Sequence, residues 1–259
     1  MSENDNDRQN ADLDWIDRFR LAFGFLTRLP VAGRGPAAPL AQAAPMFPLV
    51  GMIVGLMAGA VYVVASGLAM GPWLSASFAV AAAVLVTGAL HEDGLADVAD
   101  GFGGASDRDA KLAIMRDSRI GSYGVIALVL VLAARIGALA DIASPYHVLA
   151  TLIAAGAISR AVVVVAMRMM PRARSDGLGA GAGTPGFDGT VAALAIAAIT
   201  ALVLLLPWTW LLALVLGAGA AAVVAFVALR QIGGQTGDVL GAIQQVSEVA
   251  VLTAVVMAT

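Results

Sequence analysis

Long apolar segments limit what this chain can fold into. Each is close to the ~20 residues that a helix needs to cross a ~30 Å hydrocarbon core. Only 13% of the 259 residues are charged, about half the share found in an average soluble domain. The sequence therefore predicts an all-α protein, a polytopic membrane bundle of about seven transmembrane helices (six to eight). The candidate spans are 46–70, 73–90, 122–141, 147–167, 190–206 (alternatively a re-entrant segment), 208–229 and 239–258.

The first 45 residues differ in composition from the rest. Residues 1–14 are polar and acidic, without the basic start and apolar core of a signal peptide, and they predict a disordered tail. Apolar residues then recur with helical spacing, which predicts an amphipathic interfacial helix over 15–29. A linker rich in Gly, Pro and Ala follows. We therefore divide the chain into 1–45 (tail, interfacial helix and linker) and 46–259 (transmembrane catalytic domain).

Basic residues indicate how the spans are oriented. They lie before the first span or in the long polar connections 91–121, 168–189 and 230–238, whereas the short connections contain none. Because Lys and Arg concentrate on the cytoplasmic side, these three connections are predicted to be cytoplasmic loops. The residues concerned are Arg28, Arg34, Arg108, Lys111, Arg116, Arg119, Arg168, Arg172, Arg174 and Arg230.

Three glycines spaced four residues apart mark one face of the first span. Gly51, Gly55 and Gly59 form a stripe of small residues, which lets two helix backbones approach closely. The partner is either another helix of the same chain or a second copy of the chain, which would give a homo-oligomer.

The most unusual polar segment is HEDGLADVADGFGG, 91–104. On a helix, which turns ~100° per residue, Asp93, Asp97 and Asp100 lie within about 60° of one another. Carboxylates on one face repel each other unless a cation lies among them, and oxygen ligands suit Mg²⁺, Mn²⁺ or Ca²⁺. The segment's glycines let a backbone or a phosphate approach closely. We predict a divalent-metal site here, with a solvated acidic helix end as the alternative.

Two further titratable residues begin that segment. His91 is a ligand or a base, or alternatively a hydrogen-bonded interfacial histidine. Glu92 points roughly 100° away from Asp93 and is a weaker ligand candidate. The chain has no cysteine, which excludes thiolate ligands and disulfides.

A basic cluster follows in IMRDSRIGSYG, 114–124. Arg116 and Arg119 precede a Gly-x-x-Gly run that enters the next span. Arginine binds phosphate oxygens in a bidentate manner, and a helix N-terminus adds N–H donors for an anion. The pattern predicts phosphate binding, with ordinary positive-inside anchoring as the alternative.

Charged residues inside the predicted spans are costly and usually face a polar interior. Arg135 either serves an anionic substrate or pairs with buried acids, Asp141 being one structural partner. Arg160 lies nearer the cytoplasmic end, which favours a functional role there. Glu248 is intramembrane and is a functional candidate by the same argument.

Two other polar segments add candidates. The Gly-rich loop 167–190 carries Arg168, Arg172 and Arg174, as expected either of a mobile segment that closes over phosphates or of a plain linker. Asp238 begins the last span, where a carboxylate also favours the helix dipole. It is therefore a site residue or a helix cap.

All these segments share one predicted side of the membrane. Carboxylates for a divalent cation, Arg for phosphate and Gly for close approach together suit the transfer of a phosphoryl group. The residues therefore favour a Mg²⁺-dependent phosphotransferase that works at the cytoplasmic face.

Six motifs, in order along the chain, resemble the cobalamin synthase family, the adenosylcobinamide-GDP ribazoletransferases. The resemblance implies that the chain joins adenosylcobinamide-GDP to α-ribazole or its 5′-phosphate, giving adenosylcobalamin or its 5′-phosphate and GMP. It also implies a multi-pass protein of the bacterial cytoplasmic (inner) membrane that uses Mg²⁺. The motifs are FLTRLP (25–30), FPLVG (47–51), HEDGLADVADGFGG (91–104), IMRDSRIGSYG (114–124), PRARSDGLG (171–179) and GGQTGDVLGA (233–242).

Within this resemblance the candidate residues acquire hypothetical roles. Asp93, Asp97 and Asp100 hold Mg²⁺ on the diphosphate. One of these carboxylates, or His91, takes the proton of the ribazole 3′-hydroxyl. The residues that bind phosphate or complete the substrate site are Arg116, Asp117, Arg119, Arg160, Arg172, Arg174 and Asp238.

The expected partners are the two substrates and membrane lipid, with other cobalamin-pathway enzymes as further candidates and no nucleic acid. One alternative is a CDP-alcohol-type lipid phosphotransferase, which has a similar Asp-Gly-x-x-Asp core. The Arg that usually follows Asp-Gly-x-x-Ala in that family is absent here. A transporter is a less favoured alternative, because no clear pair of inverted repeats is evident. A membrane scaffold would not need aligned carboxylates.

Overall fold

The computed structural model describes residues 13–30, 38–174 and 181–258. Within those ranges the chain forms ten α-helices and no β-strand. The helices are α1 Trp15–Leu26, α2 Phe47–Gly67, α3 Pro72–Thr87, α4 Leu90–Gly104, α5 Arg108–Ile114, α6 Ser122–Ile142, α7 Pro145–Met169, α8 Phe187–Leu204, α9 Thr209–Ile232 and α10 Gly237–Val256.

The prediction of a polytopic helical membrane bundle is confirmed. Among the described residues, six helices (α2 and α6 to α10) are long and apolar enough to cross a membrane. Helices α3 and α4 meet the same criteria only as a pair, and they join at a bend of 90°. The Ala-rich segment predicted over 190–206 is a single helix of 18 residues. The span interrupted by a bend is therefore the second predicted span, 73–90, and not the segment 190–206.

The bend between α3 and α4 has a local cause in the backbone. Gly88 and Ala89 both adopt left-handed conformations, with φ of +64° and +58°, and such residues commonly end a helix. The predicted span 73–90 consequently ends at Thr87, and α4 begins in a new direction. Helix α4 has 15 residues and several carboxylates, which is about 22 Å of helix. It is too short and too charged to cross a membrane by itself, and we place it outside the spanning helices.

The predicted loop 91–121 is thus mostly helical. Helix α4 covers the acidic segment, so its carboxylates do have helical spacing. Helix α5 follows after a short break and begins at Arg108. The preceding Asp107 accepts a hydrogen bond on its side chain from the amide of Ala110 at 2.9 Å. Asp107 therefore caps α5 in the usual way.

Helix α1 is shorter than the predicted interfacial helix over 15–29. Its N-cap is Asp14, whose side chain accepts from the amide of Asp17 at 2.7 Å. One side buries Phe23 and Leu26 against the bundle, while Trp15 is exposed. This division is the one expected of an amphipathic helix.

Only part of the N-terminal region lies within the described residues, so its remaining predictions are only partly tested. Most of the predicted disordered tail, residues 1–12, lies outside the described residues, as do 31–37 with Arg34. The described part of the predicted linker contains two 3₁₀ turns, Leu40–Gln42 and Ala44–Met46.

Helices α7 and α10 form the centre of the bundle. In their most apolar stretches, 78% of the residues of α7 and 67% of those of α10 are buried, against 17–28% in α6, α8 and α9. The outer helices therefore present apolar side chains to the surroundings, as membrane spans do.

The glycine stripe packs α2 directly against α7. A Cβ atom at Gly51 would lie 2.1 Å from the carbonyl oxygen of Gly156, and one at Gly55 would lie 2.2 Å from that of Leu152. The two backbones touch, so only glycine fits on α2 at these positions. The glycine stripe therefore packs two helices of the same chain against each other, which is the first of the two predicted alternatives.

We expect Gly55→Ala to destabilise the bundle, because the added methyl group forces α2 and α7 apart. Overpacking of a filled interface typically costs about 1–3 kcal/mol. Gly67→Ala is the matched control, since Gly67 ends the same helix with open space around it. Denaturant unfolding in detergent compares the two, and equal stabilities of the two variants would contradict the close packing.

The connections predicted to share one side of the membrane meet at one end of the bundle. Arg108 donates from Nε to the carbonyl oxygen of Ile232 at 3.0 Å and from Nη2 to that of Ala173. A parallel bridge joins Arg172 to Gln235. The three long polar connections are therefore neighbours in space, as a shared site requires.

Candidate active site

Helix α4 lies close against α10 because glycines remove side chains from their contact. A Cβ atom at Gly94 would lie 2.9 Å from the backbone of Asp238, and one at Gly241 would lie 3.1 Å from the carbonyl oxygen of His91. The acidic helix is thereby brought to the N-terminus of α10. The glycines therefore allow the predicted close approach. The group that approaches Gly94 and Gly241 is the backbone of the neighbouring helix.

Asp97 lies among several other carboxylates. Burial, followed by the negative charges of Asp238, Asp93 and Asp100, raises the pKa of the Asp97 carboxyl to about 7, although Arg174 acts to lower it. The group is therefore only partly ionised at neutral pH when no cation is bound. Burial and neighbouring like charges both favour the neutral form of a carboxyl group, whereas a cation beside it would favour the charged form.

Asp100 has a structural partner that the sequence did not suggest. Its Oδ2 accepts from the amide of Gly121 at 2.7 Å and its Oδ1 from that of Gly124 at 2.9 Å. A Cβ atom on either glycine would lie 2.4 Å from the carboxylate oxygens. Asp100 thus holds the N-terminus of α6 against α4, and its predicted metal ligation stays a prediction.

Arg174 and Asp238 join the acidic helix at this end of the bundle. Nη2 of Arg174 lies 3.4 Å from Oδ2 of Asp238, which also accepts from Oγ1 of Thr236 at 3.1 Å. The preceding residue, Ala173, donates its amide to the carbonyl oxygen of Gln235 at 2.9 Å and so fixes the segment beside α10. Nη1 of Arg174 is buried and has no hydrogen-bond partner among the described residues. The guanidinium therefore has one buried N–H group to which the described residues offer no acceptor.

A cavity of about 200 Å³ adjoins these groups. Its polar lining residues are His91, Asp93, Arg174 and Asp238. His91 is buried, and its Nδ1 has no hydrogen-bond partner within the described parts of the chain. Burial, followed by the positive charge of Arg160, lowers the pKa of the His91 ring well below its usual range, so the neutral form is favoured. The apolar lining includes Phe25, Leu26, Phe47, Val163, Met167 and Leu240.

The other predicted phosphate-binding residues of the loops lie at the surface. Arg119 pairs with Asp117, with 2.6 Å between Nη2 and Oδ2, and the side chain of Arg119 is 87% exposed. The hydrogen bonds from Arg119 lower the pKa of the Asp117 carboxyl to about 2. Arg116 and Arg172 are also exposed. Contact of these residues with a substrate phosphate stays a prediction.

The described side chains do not form a ready-made metal site. In residues 13–30, 38–174 and 181–258, no group of three or more His, Asp or Glu side chains is placed to hold a metal ion. The available donors are nevertheless carboxylates, which Mg²⁺ prefers, and their charges interact at Asp97. The donor chemistry fits magnesium, and its binding stays a prediction.

A buried ion-pair network links α4, α6, α7 and α10. Arg135 donates to Glu92 at 2.9 Å and to Glu248 at 2.7 Å, and Arg160 donates to the second oxygen of Glu248 at 2.7 Å. Two positive and two negative charges therefore balance. The pairing of Arg135 with Asp141 is wrong, because Asp141 is exposed and the buried acids are the partners.

The network also changes the interpretation of two predicted residues. Arg160 points to an internal carboxylate and to Oγ of Ser159 at 3.0 Å, while its contact with a substrate phosphate stays a prediction. Glu92 belongs to the network, consistent with its direction away from Asp93. The side-chain amides of Gln244 and Gln245 hydrogen-bond Glu248 and Glu92, and these contacts were not predicted. The one signal in the sequence for this network was that acids and bases occur in equal numbers in apolar surroundings, where each charge needs a partner.

Comparison with known proteins identifies close relatives of this chain. The family model described as cobalamin-5-phosphate synthase matches residues 18–256. The relatives of this chain include three proteins named adenosylcobinamide-GDP ribazoletransferase. The protein from Bradyrhizobium diazoefficiens is 47% identical over 239 residues, 92% of each chain. That from Mesorhizobium japonicum is 46% identical over 244 residues, 92% of each chain. That from a Sinorhizobium species is 42% identical over 259 residues, covering 94% of this chain and 97% of the relative. No solved structure matches the chain.

Proposed function

Because the chain belongs to the cobalamin-5-phosphate synthase family, we propose that it joins adenosylcobinamide-GDP to α-ribazole or to α-ribazole 5′-phosphate. The ribazole 3′-oxygen forms a bond to the phosphorus that carries the cobinamide. The bond from that phosphorus to the bridging oxygen breaks, which releases GMP. The 3′-hydroxyl proton passes to a base on the protein, and the corrinoid product is adenosylcobalamin or its 5′-phosphate.

The observation that carries this proposal is one cavity lined by residues from several motifs. HEDGLAD supplies His91 and Asp93, PRAR supplies Arg174, and GGQTGD supplies Asp238. These motifs are far apart in sequence, and the fold brings them together beside the family's acidic helix. A transfer between two substrates needs such a positioned set of charged groups.

Three of the four polar residues of the cavity have a task in this transfer. The buried Nη1 of Arg174, which lacks a partner among the described residues, donates to a phosphate oxygen, a strong charge-assisted contact. His91, whose Nδ1 has no described hydrogen-bond partner, is one candidate for taking the 3′-hydroxyl proton, although burial lowers its pKa well below the usual range. Asp93 is the alternative base.

Mg²⁺ is the cofactor of this proposal. Asp93, Asp97 and Asp100 would hold it, with Asp238 beside them. When bound, the ion supplies positive charge that offsets the negative charge of the diphosphate and of the departing GMP.

We place the site at the cytoplasmic face of the bacterial inner membrane. The connections that meet at this end of the bundle carry the basic residues, whereas those at 68–71, 143–144 and 205–208 carry no Lys or Arg. The positive-inside rule supports that orientation. Membrane lipid would then surround the outer helices.

The proposal is tested by letting two donors compete. Purified protein in lipid nanodiscs receives Mg²⁺, adenosylcobinamide-GDP with α-ribazole, and CDP-diacylglycerol with glycerol 3-phosphate, all at equal concentrations. We expect GMP to be released and CMP to be absent. Release of CMP without GMP would instead identify a lipid phosphotransferase and overturn the proposal.

A further inference from the structure

We infer that the apolar part of the cavity binds the base of the acceptor nucleoside, an apolar bicyclic aromatic ring, and that the polar groups receive its ribose. This inference rests on the proposed function, because it identifies which part of which substrate enters the cavity. It assigns substrate specificity to apolar side chains of α1, α2, α7 and α10.

The size of the cavity selects among the substrate parts. A volume of about 200 Å³ is smaller than the ~300–1,000 Å³ of sites that enclose a whole drug-sized ligand. A corrinoid ring is far too large for it. Guanine has the right size, but its amide and amino groups would lose their hydrogen bonds against apolar walls, which is costly. A bicyclic base with methyl substituents has neither problem.

The walls suit an aromatic ring. Phe25 of α1 and Phe47 of α2 both line the cavity, with ring centroids 6.4 Å apart and planes within 16° of parallel. Val163 and Met167 of α7 line it as well and are buried. Flat rings and aliphatic side chains are the usual contacts of a buried heterocycle.

The unpaired polar atoms favour an occupant that carries polar groups beside its apolar part. Nδ1 of His91 and Nη1 of Arg174 are buried, belong to lining residues, and lack hydrogen-bond partners within the described ranges. Buried polar groups are nearly always hydrogen-bonded, so the occupant supplies polar atoms next to its apolar part. A lipid chain cannot do so, whereas a nucleoside offers ribose hydroxyls, and its 5′-phosphate offers an anion for Arg174.

The first test fills the cavity with a larger side chain. Val163→Phe is expected to raise KM for α-ribazole at least about tenfold, as small pocket changes do, while KM for adenosylcobinamide-GDP changes less than about twofold. Val165→Phe is the matched control, because Val165 is on the same helix but does not line the cavity. Equal rises in both KM values, or an unchanged KM for α-ribazole, would overturn the inference.

The second test uses the wild-type protein and needs neither turnover nor a folded variant. Calorimetry in detergent measures the binding of two free bases, 5,6-dimethylbenzimidazole (the base of α-ribazole) and benzimidazole. Each methyl group buried against apolar walls is worth about fourfold in affinity, so we expect the dimethyl compound, with two such groups, to bind about fifteenfold more tightly. Equal affinities, or no binding of either base, would overturn the inference. Tight base binding without any turnover would contradict the proposed function and leave the apolar pocket standing.

Discussion

Asp97→Asn is expected to lower kcat by about 10²–10³-fold, the loss typical of removing one group that stabilises the charge of a transition state. Asparagine keeps the size of the side chain but loses the charge that attracts a cation. The variant should still fold, since Asp97 is surrounded by the like charges of Asp238, Asp93 and Asp100. Asp141→Asn is the matched control, because Asp141 is exposed in α6, and it should turn over at the wild-type rate.

The stability of the same variant provides an independent measurement. The folded-state pKa of Asp97, about 7, lies above the unfolded value of ~3.9, so its ionisation disfavours the folded state as pH rises through that window. Asp97→Asn removes this penalty, and its melting temperature at pH 8 without Mg²⁺ should equal or exceed that of the wild type. Added Mg²⁺ should raise the wild-type melting temperature by mass action and leave that of the variant unchanged. Wild-type turnover by Asp97→Asn would remove this residue from the site.

Glu248→Gln is expected to destabilise the protein by about 3–5 kcal/mol, the range for breaking a buried ion pair by removing one charge. Both oxygens of Glu248 accept from guanidinium groups at 2.7 Å, one from Arg135 and one from Arg160. After the substitution Glu92 is the one acid left in the network for two buried arginines. Denaturant unfolding in detergent micelles measures the change in the free energy of unfolding.

A double variant serves as the control for charge balance. Glu248→Gln combined with Arg160→Gln leaves Arg135 paired with Glu92, so one positive and one negative charge remain. The double variant should therefore be more stable than Glu248→Gln alone, a coupling that a double-mutant cycle isolates. A double variant as unstable as the sum of its single changes would show that charge balance is not what holds the four helices together.

The membrane spans could be predicted because the length and apolarity of a segment are properties of the local sequence. The bend after Thr87 could not, since it depends on the left-handed backbone of Gly88 and Ala89. Alanine does not favour a left-handed backbone, so its presence in the sequence does not suggest that conformation. The helical spacing of Asp93 and Asp97 was likewise predictable, because α4 preserves it.

The contacts between distant segments could not be predicted from the sequence. Asp100 was grouped with its helical neighbours, but its carboxylate holds glycine amides of α6 that lie 21 and 24 positions further along the chain. Arg135 finds its acids 43 and 113 positions away. A local pattern shows which residues need a partner, and only the packing of α4, α6 and α10 shows which partner each one has.

The most direct test of the proposed reaction is the mass spectrum of the corrinoid formed in a single turnover of wild-type protein with adenosylcobinamide-GDP, α-ribazole and Mg²⁺. We predict a product in which ribazole is joined to the cobinamide through one phosphate, formed in equal amount with GMP. GMP together with unmodified cobinamide phosphate would mean that water, and not the nucleoside, attacks the diphosphate. That result would contradict the account of the cavity as an acceptor site.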